Sequence, residues 1–583
     1  MKKGVPVSPG IAVARAYCVD PALARKEPAY VETKDLAGEV RRFELACAAA
    51  NRELEAAVVR IGKQLGEDQA GIFRSHRALL RDPGLFNKVA SVIHTRHVDA
   101  VTALHLTIDE YADLFNKLSD AYLRERLADL RDVANRIVAQ LVSREQPPLV
   151  DTDEPVILVA PEILPSHALR FDRRLIVGIL TETGGATGHA AILARSLGIP
   201  AVSGLPGLMK TVHTGDLMAL DGREGHVYLR PGPEVEAAYR KLQREYVALH
   251  DSLAENRDLA AVTPDGIAVE LLANVNGPTD AARAVSSGAV GVGLYRTEYL
   301  FLTHASIPDE EEQLAAYRAV IEASPNRTVT IRTLDLGGDK QVPYFGQQGE
   351  SNPFLGFRSI RLIAAYPEFF QTQLRAILRA AQFGRVGVMF PMISTLEEVQ
   401  RLKKMLERTQ LGLQQAGVPH GEEIAFGVML EVPAAALCIE DILEEVDFVS
   451  IGSNDLIQYL MAADRDNPRV AHLCEPYNPA LLRLLSRVIR ACNEQAKPVT
   501  LCGEMAARSR CFLPLFGMGL RRLSMSPSFV PRIKEVVRRT LRPVAEDVAR
   551  RVLAMRTSGA IRGYLTGKIR EIWPEVQLLD TSR

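Results

Sequence analysis

No stretch of the 583-residue sequence stays apolar for the roughly 18 residues that a membrane-crossing helix needs, so no transmembrane span is expected. The beginning, Met1-Lys2-Lys3-Gly4-Val5-Pro6, carries charge but no apolar core segment, so no secretory leader is expected. The seven cysteines are scattered from Cys18 to Cys511 and form no CxxC pair. That argues against a disulfide framework or a zinc site, and for a reducing, cytoplasmic setting. Neither sign of charge is in excess. A formal net charge of -1 gives no overall field to gather nucleic acid or an anionic membrane. A phosphate loop of the GxxxxGKS/T kind is missing.

What is present is a soluble globular composition, 47% hydrophobic and 24% charged. Its length calls for roughly two to four domains. Residues 1 to 20 read as a short strand with the turn Ser8-Pro9-Gly10. From about 33 to 144 the pattern turns helical: Val40, Phe43, Cys47, Leu54, Val58, Ile61 and Leu65 recur at helical spacing, then Leu127, Leu130, Ala134, Ile137 and Leu141. Asp82-Pro83-Gly84 breaks one helix pair. Strand signals are nearly absent there, so a helical bundle is expected. From about 149, short apolar runs alternate with turns (Val156–Ala160, Leu175–Leu180, Ala201-Val202, Leu217–Leu220, Val227–Leu229), an α/β domain whose sheet can recruit residues 1–20. Pro231-Gly232-Pro233 punctuates, and a charged helical segment follows to about Ala260.

The remainder alternates strand and helix. Eight strand candidates are Val269–Ala273, Val290–Leu294, Val329–Thr333, Val386–Met392, Phe426–Leu430, Phe448–Ile451, Val499–Leu501 and Leu520–Met525. Eight βα units in this length fit a (β/α)8 barrel. The expected architecture is multidomain α/β. Residues 1–20 and 145–230 form one α/β domain, 21–144 an inserted helical bundle, 231–260 a linker helix, and 261–583 a TIM-type barrel.

Two stretches carry candidate chemistry. In Thr183-Gly184-Gly185-Ala186-Thr187-Gly188-His189, a histidine follows a glycine-rich turn and precedes a helix-like run closed by Gly198-Ile199-Pro200. Free backbone N–H groups and the helix dipole favour an anion there, and a neutral imidazole is a nucleophile. A capping or core histidine is the other reading of that stretch alone. In the barrel, polar residues gather just past the strand ends, where active sites of such barrels lie. They include Arg296, Arg332, Lys340, Arg358, Glu431, Asn454, Asp455, Arg465 and Cys502. Arginines recognise phosphate and carboxylate in bidentate fashion. Four of them in one region would repel one another unless a multiply charged anion or acidic partners sat between them. Glu431 and Asp455 suit Mg²⁺, which takes one or two carboxylates plus phosphate oxygens and water. Asn454 can hold phosphate without adding charge. Cys502, mostly protonated at neutral pH, is a candidate proton donor. Taken singly, each arginine also reads as a surface ion-pair partner, Glu431 and Asp455 as helix caps or structural pairs, and Cys502 as a small buried hydrophobe.

In order and spacing, the segments GGATGHAAILAR, GVGLYRTEYLF, IRTLDLGGDK, NPFLGFRSIR, MFPMI, LEVPAA, FVSIGSNDLIQY and LCGEMA resemble the enzyme I family of the bacterial phosphoenolpyruvate-dependent sugar phosphotransferase system, over essentially the whole chain. The resemblance implies that His189 takes a phosphoryl group from phosphoenolpyruvate, releasing pyruvate, and passes it to a histidine of the carrier protein HPr. It places Arg296, Arg332, Asn454 and Arg465 on the substrate, with Lys340 and Arg358 close by. It makes Glu431 and Asp455 the Mg²⁺ ligands, with Asp455 also near the substrate, and Cys502 the acid that protonates the enolate. It makes the helical insertion the HPr dock, and it implies a homodimer formed through the barrel. His189 and the barrel residues fall in different expected domains, so a domain swing at the Pro231-Gly232-Pro233 break is implied as well.

The sequence departs from the family pattern at three places. Gly188 stands where a hydroxyl residue usually precedes the histidine, Ala507-Arg508 where Gly-Asp is usual, and Arg521-Arg522 where an acidic pair is usual. Dikinases and synthases that share the phosphohistidine and barrel parts also need a sizeable nucleotide-binding domain, for which only the bundle is available. A nitrogen-related relative would carry a further N-terminal sensory domain, whereas here the first strand begins within about ten residues of Met1. A phosphoenolpyruvate-responsive regulatory relative with weak or no turnover is the alternative of another class. It predicts loss of His189 or Cys502, and both are present.

Overall fold

The structure is a computed structural model. It describes residues 1–19, 30–32, 35–65, 67–116, 121–142, 152–163, 174–183, 194, 198–302, 306–337, 350, 352–465, 467 and 469–579, and it leaves the side chains at 60–65, 67–72, 114–116, 121–128, 250 and 364 undescribed. The chain divides into two compact units, Met1–Ala248 with Leu578–Arg583, and Leu249–Gln577.

The first unit is built on one eight-stranded sheet. Its strands are β1 (Lys2–Lys3), β2 (Val5–Ser8), β3 (Ile11–Cys18), β4 (Val156–Ala160), β5 (Ile176–Thr181), β6 (Ala201–Ser203), β7 (Leu217–Asp221) and β8 (His226–Leu229). Their order is β1-β8-β7-β3-β4-β5-β6-β2. The opening residues therefore supply three strands. β3 lies at the centre, parallel to β4 (Arg15↔Val156) and antiparallel to β7 (Ile11↔Asp221). All five residues of β4 are buried, because both faces of the sheet are covered. The strand's period of two sends Val156, Leu158 and Ala160 into one core and Ile157 and Val159 into the other.

Five helices lie between β3 and β4 in the described sequence: α1 (Leu36–Leu65), α2 (Glu67–Leu80), α3 (Pro83–Arg96), α4 (Ala100–Asn116) and α5 (Ala121–Leu141). Phe43, Ala46, Ala50, Leu54 and Ala57 put one stripe of α1 into their common core, with Phe73, Val89, Ile93, Leu104, Val133 and Ile137 facing it. Of the sequence-picked positions, Phe43, Leu54, Leu130, Ala134, Ile137 and Leu141 are buried, while Val40, Cys47 and Val58 pack at the margin. The side chains of Ile61, Leu65 and Leu127 lie outside the described residues. The break at Asp82-Pro83-Gly84 is a helix start: Asp82 Oδ1 accepts from the Gly84 N–H at 2.8 Å, and Pro83 occupies the first turn.

A long helix, Pro233–Glu255, runs across the division between the units and ends in a 3₁₀ turn at Asn256–Asp258. The second unit is a closed parallel barrel of β9 (Glu270–Val275), β10 (Val292–Arg296), β11 (Val329–Arg332), β12 (Val386–Phe390), β13 (Ala425–Leu430), β14 (Phe448–Gly452), β15 (Val499–Cys502) and β16 (Arg522–Met525). β16 closes on β9 through Arg522↔Glu270 to Met525↔Ala273. All eight expected strands are present, with their ends shifted by one or two residues. The shifts have local causes. β12 stops at Phe390 because Pro391 has no N–H to donate and Met392 takes a left-handed φ of 57°. The second barrel strand starts two residues later than expected, at Val292, and Val290 before it is exposed. Among the described residues, no helix is long and apolar enough to cross a membrane.

Candidate active site

Strand ends place most of the sequence-picked residues on one rim of the barrel. Arg296 ends β10, Arg332 ends β11 and the two are register partners. Cys502 ends β15 opposite Gly452, the last residue of β14. Glu431 immediately follows β13, and Asn454 and Asp455 sit in the first turn of the helix Ser453–Met461 that follows β14. His189 and Lys340 lie outside the described residues.

The arginines do not stand as bare cations. Arg332, 5% exposed, is held through Nη2 by Glu298 and through Nη1 by Asp335 Oδ2 at 3.2 Å. Asp335 turns its other oxygen to Arg358, with Nη2 at 2.9 Å, and it also accepts from the Ser359 hydroxyl. Arg358 Nη1 then lies 3.5 Å from Asp455 Oδ1, which Arg465 Nη1 reaches at 3.4 Å. Arg465 has a third of its side chain exposed, whereas Arg332 and Arg358 are buried. The chain Glu298–Arg332–Asp335–Arg358–Asp455–Arg465 therefore alternates in sign across the rim. Acidic partners are what keep these arginines together. Burial would lower the pKa of Arg332, but the carboxylates of Glu298, Asp335, Glu431 and Asp455 raise it, so its charge is secure. Glu298 and Asp335 lie within the segments GVGLYRTEYLF and IRTLDLGGDK, and the sequence alone gives them no role. The signal that could have found them is spacing: each lies two or three residues past a strand-end arginine.

Glu431 is fully buried. Its Oε1 accepts from the Met392 N–H at 2.7 Å, and its Oε2 has no hydrogen-bond partner. The donor N–H belongs to the left-handed residue that ends β12, so the strained turn presents it to Glu431. Gly452 faces Glu431 as well, and a Cβ there would lie 2.8 Å from Oε2. Burial first, then the like charges of Asp455 and Asp335, hold the Glu431 carboxyl well above the usual carboxylate range, against the pull of Arg332 and Arg358. An orphaned buried carboxylate oxygen beside a second carboxylate is what a small hard cation relieves, so Glu431 and Asp455 fit a divalent metal. Among the described residues, no group of three or more His, Cys, Asp and Glu is arranged to hold a metal unaided. A cation at the Glu431–Asp455 pair would thus take its remaining ligands from substrate and water. Asp455 is not a cap: the helix Ser453–Met461 starts without a side-chain cap bond.

Cys502 is 1% exposed among Leu294, Met389 and Met429. Its Sγ lies 3.8 Å from Ser450 Oγ and 4.0 Å from the Gly293 carbonyl oxygen. Burial pushes the thiol up to about 11, although Ser450, Ser524, Arg296 and Arg332 pull the other way. Cys502 is therefore a buried small side chain whose thiol stays protonated at neutral pH, in the field of Arg296 and Arg332. Gly503, at φ 107°, lets the chain turn away from it, and a Cβ there would meet Ser453 Oγ at 2.4 Å. Asn454 Oδ1 accepts from the Glu504 N–H at 3.1 Å, which orients its amide.

Three family models match the chain. The PEP-utilising enzyme N-terminal domain matches residues 3–126, the PEP-utilising enzyme mobile domain residues 152–225, and the PEP-utilising enzyme PEP-binding domain residues 250–542. The phosphoenolpyruvate-protein phosphotransferases of Bacillus sp. (strain S) and Geobacillus stearothermophilus are each 41% identical over 565 residues, 96% of this chain and 97% of theirs. That of Bacillus subtilis (strain 168) is 39% identical over 567 residues, 97% of this chain and 98% of its own.

Proposed function

The chain belongs to the phosphoenolpyruvate-protein phosphotransferase family, and on that premise we propose a residue-level course for the first step of the sugar phosphotransferase system: phosphoenolpyruvate phosphorylates His189, and His189 passes the group to an HPr-type carrier. The observation that carries the reading is the alternating chain of charges at the barrel rim, with a buried neutral thiol beside it. Arg332, Arg358 and Arg465 are already paired with Glu298, Asp335 and Asp455. A substrate with a phosphate and a carboxylate then brings more negative charge than the rim can neutralise alone. Glu431 and Asp455 are the residues that would hold Mg²⁺, and the ion when bound would supply the positive charge that a phosphoryl group needs.

Arg332, Arg296 and Arg465 bind the substrate's anionic ends, with Arg358 and Lys340 in support, and Asn454 donates to phosphate. A His189 ring nitrogen forms its bond to phosphorus in line as the bond from phosphorus to the enol oxygen breaks. The electron pair stays on the enolate. The Cys502 thiol gives its proton to the methylene carbon, making pyruvate, and the thiolate recovers a proton from water. A group titrating near 11 is a neutral acid at pH 7, which is the form this step needs. Gly188 supplies no hydroxyl to orient the imidazole, so the family's usual hydrogen bond is absent at this position.

The bundle of α1 to α5 serves as the carrier dock in this reading. The barrel serves as the dimer surface and the cytoplasm as the setting. The test is the course of pyruvate release with phosphoenolpyruvate and Mg²⁺. Without carrier, a burst of about one pyruvate per chain is expected, and adding an HPr-type carrier should convert it to continuous turnover. Continuous pyruvate release without any acceptor would make the protein a hydrolase and overturn the reading. The alternative of a regulatory relative predicts no burst.

A further inference from the structure

Behind the rim lies a second polar array that the proposed chemistry does not use. Gln373, on the helix Pro367–Ala380, accepts from the Leu334 N–H through Oε1 at 2.9 Å. Its Nε2 donates to the Thr297 hydroxyl at 3.3 Å and to the Tyr317 hydroxyl at 3.1 Å. Thr297 passes its own hydrogen to the Arg332 carbonyl at 2.9 Å. Tyr317, on the helix Glu310–Glu322, donates to Gln313 Oε1 at 3.0 Å, and Gln313 Nε2 donates to the Pro308 carbonyl at 2.9 Å. Every side chain in this array is fully buried. Each hydroxyl both accepts one bond and donates one, so the donor direction is fixed along the whole chain and the Gln373 amide has one orientation. Reversing it would set two donors or two acceptors face to face at three places in a dry interior.

The bonds end on the backbone that carries the rim. β11 stops at Arg332, so the Leu334 N–H lies beyond the ladder, and Gln373 takes over where the neighbouring strand no longer does. Thr297 sits between Arg296 and Glu298, and its hydroxyl grips the carbonyl of Arg332. Glu298 grips the guanidinium of the same residue. Arg332 is thereby held at both ends from one turn. The Tyr317 ring also packs edge-on against Tyr295, with centroids 5.9 Å apart, bracing β10 one residue before Arg296.

We propose that Thr297, Gln373 and Tyr317 are positioning residues that set the register of Arg332 and Arg296 against phosphoenolpyruvate, a role that rests on the reading of the rim as the substrate site. None of the three touches substrate. They act through strand-tip backbone, and their effect falls on the donor half-reaction alone.

The test compares two ways of loading His189 in the full chain: forward, from phosphoenolpyruvate and Mg²⁺, and backward, from a phosphorylated HPr-type carrier. Thr297→Val and Gln373→Met keep volume and remove the bonds. Each should lower kcat/KM for phosphoenolpyruvate by about 10–100-fold, the scale of loss from a misplacement near ~1 Å. Back-loading should stay within about twofold of wild type, and Thr297→Ser should restore the forward rate. Unchanged forward rates in both variants would overturn the proposal. Forward and backward rates falling together would also overturn it, since that marks a general loss of structure. A wild type that takes no label from phosphoenolpyruvate defeats the underlying reading instead, a result separable from failure of the array.

Discussion

At the scale of the residue, Cys502 shows how place decides chemistry. An exposed thiol titrates near 9.0, whereas this one is pushed up to about 11 by burial among Leu294, Met389 and Met429. The folded-state value is raised, so between 9.0 and 11 the unfolded chain loses a proton that the native one keeps. The stabilising contribution is whole below that window and falls as pH rises through it. A difference titration of thiolate absorbance, wild type minus Cys502→Ala, should therefore show its midpoint near 11. A midpoint near 9 would place the thiol in water and remove the case for a neutral acid. In the same variant, pyruvate formation should fall by about 10²–10⁴, the usual worth of a positioned acid. The position of Cys502 at a strand end was legible in the sequence, as were the arginines and Glu431, because barrel strands announce where they stop. Glu298 and Asp335 were not legible in their roles. Their meaning comes from arginines that fold next to them, and one of those, Arg358, lies 23 residues from Asp335. The cost of losing such a partner is large, on the order of 3–5 kcal/mol, because it leaves a buried charge uncompensated.

At the scale of the element, local rules set the boundaries and distant packing sets the contents. α3 begins where Asp82 can accept from the Gly84 N–H and Pro83 needs no donor, so its start was written in three residues. Removing that cap with Asp82→Ala should cost about 1 kcal/mol of bundle stability, read as an earlier denaturation midpoint by helix signal. An unchanged midpoint would mean that packing alone fixes the start of α3. The eight barrel strands were legible for a related reason. Each is a short apolar run between turn residues, and the helices between them show their own period. The array of Gln313, Tyr317, Thr297 and Gln373 was illegible because a glutamine and a tyrosine on amphipathic helices carry no periodic signal. Gln373 meets Leu334 39 residues away and Thr297 76 residues away. Of the three strands in the opening residues, β1 and β2 are too short to show a period, because Gly4 and the Pro9-Gly10 turn cut them to two and four residues.

At the scale of the whole molecule, the proposed reaction draws on both units. His189 lies in the sequence of the sheet unit, and the rim arginines, Glu431, Asp455 and Cys502 lie in the barrel unit. The sheet of the first unit is completed by residues from both sides of the helical insertion, which leaves the strand order uninterrupted. The barrel closes on itself and leaves no free edge, so its rim residues sit on a rigid ring. On the proposed reading His189 is the link between the two, which yields the most direct test of the account. The full chain is incubated with phosphoenolpyruvate labelled in its phosphate, with Mg²⁺ and no carrier, beside the His189→Ala variant. The account predicts about one acid-labile, base-stable label per wild-type chain and none on the variant; label persisting on His189→Ala would contradict it.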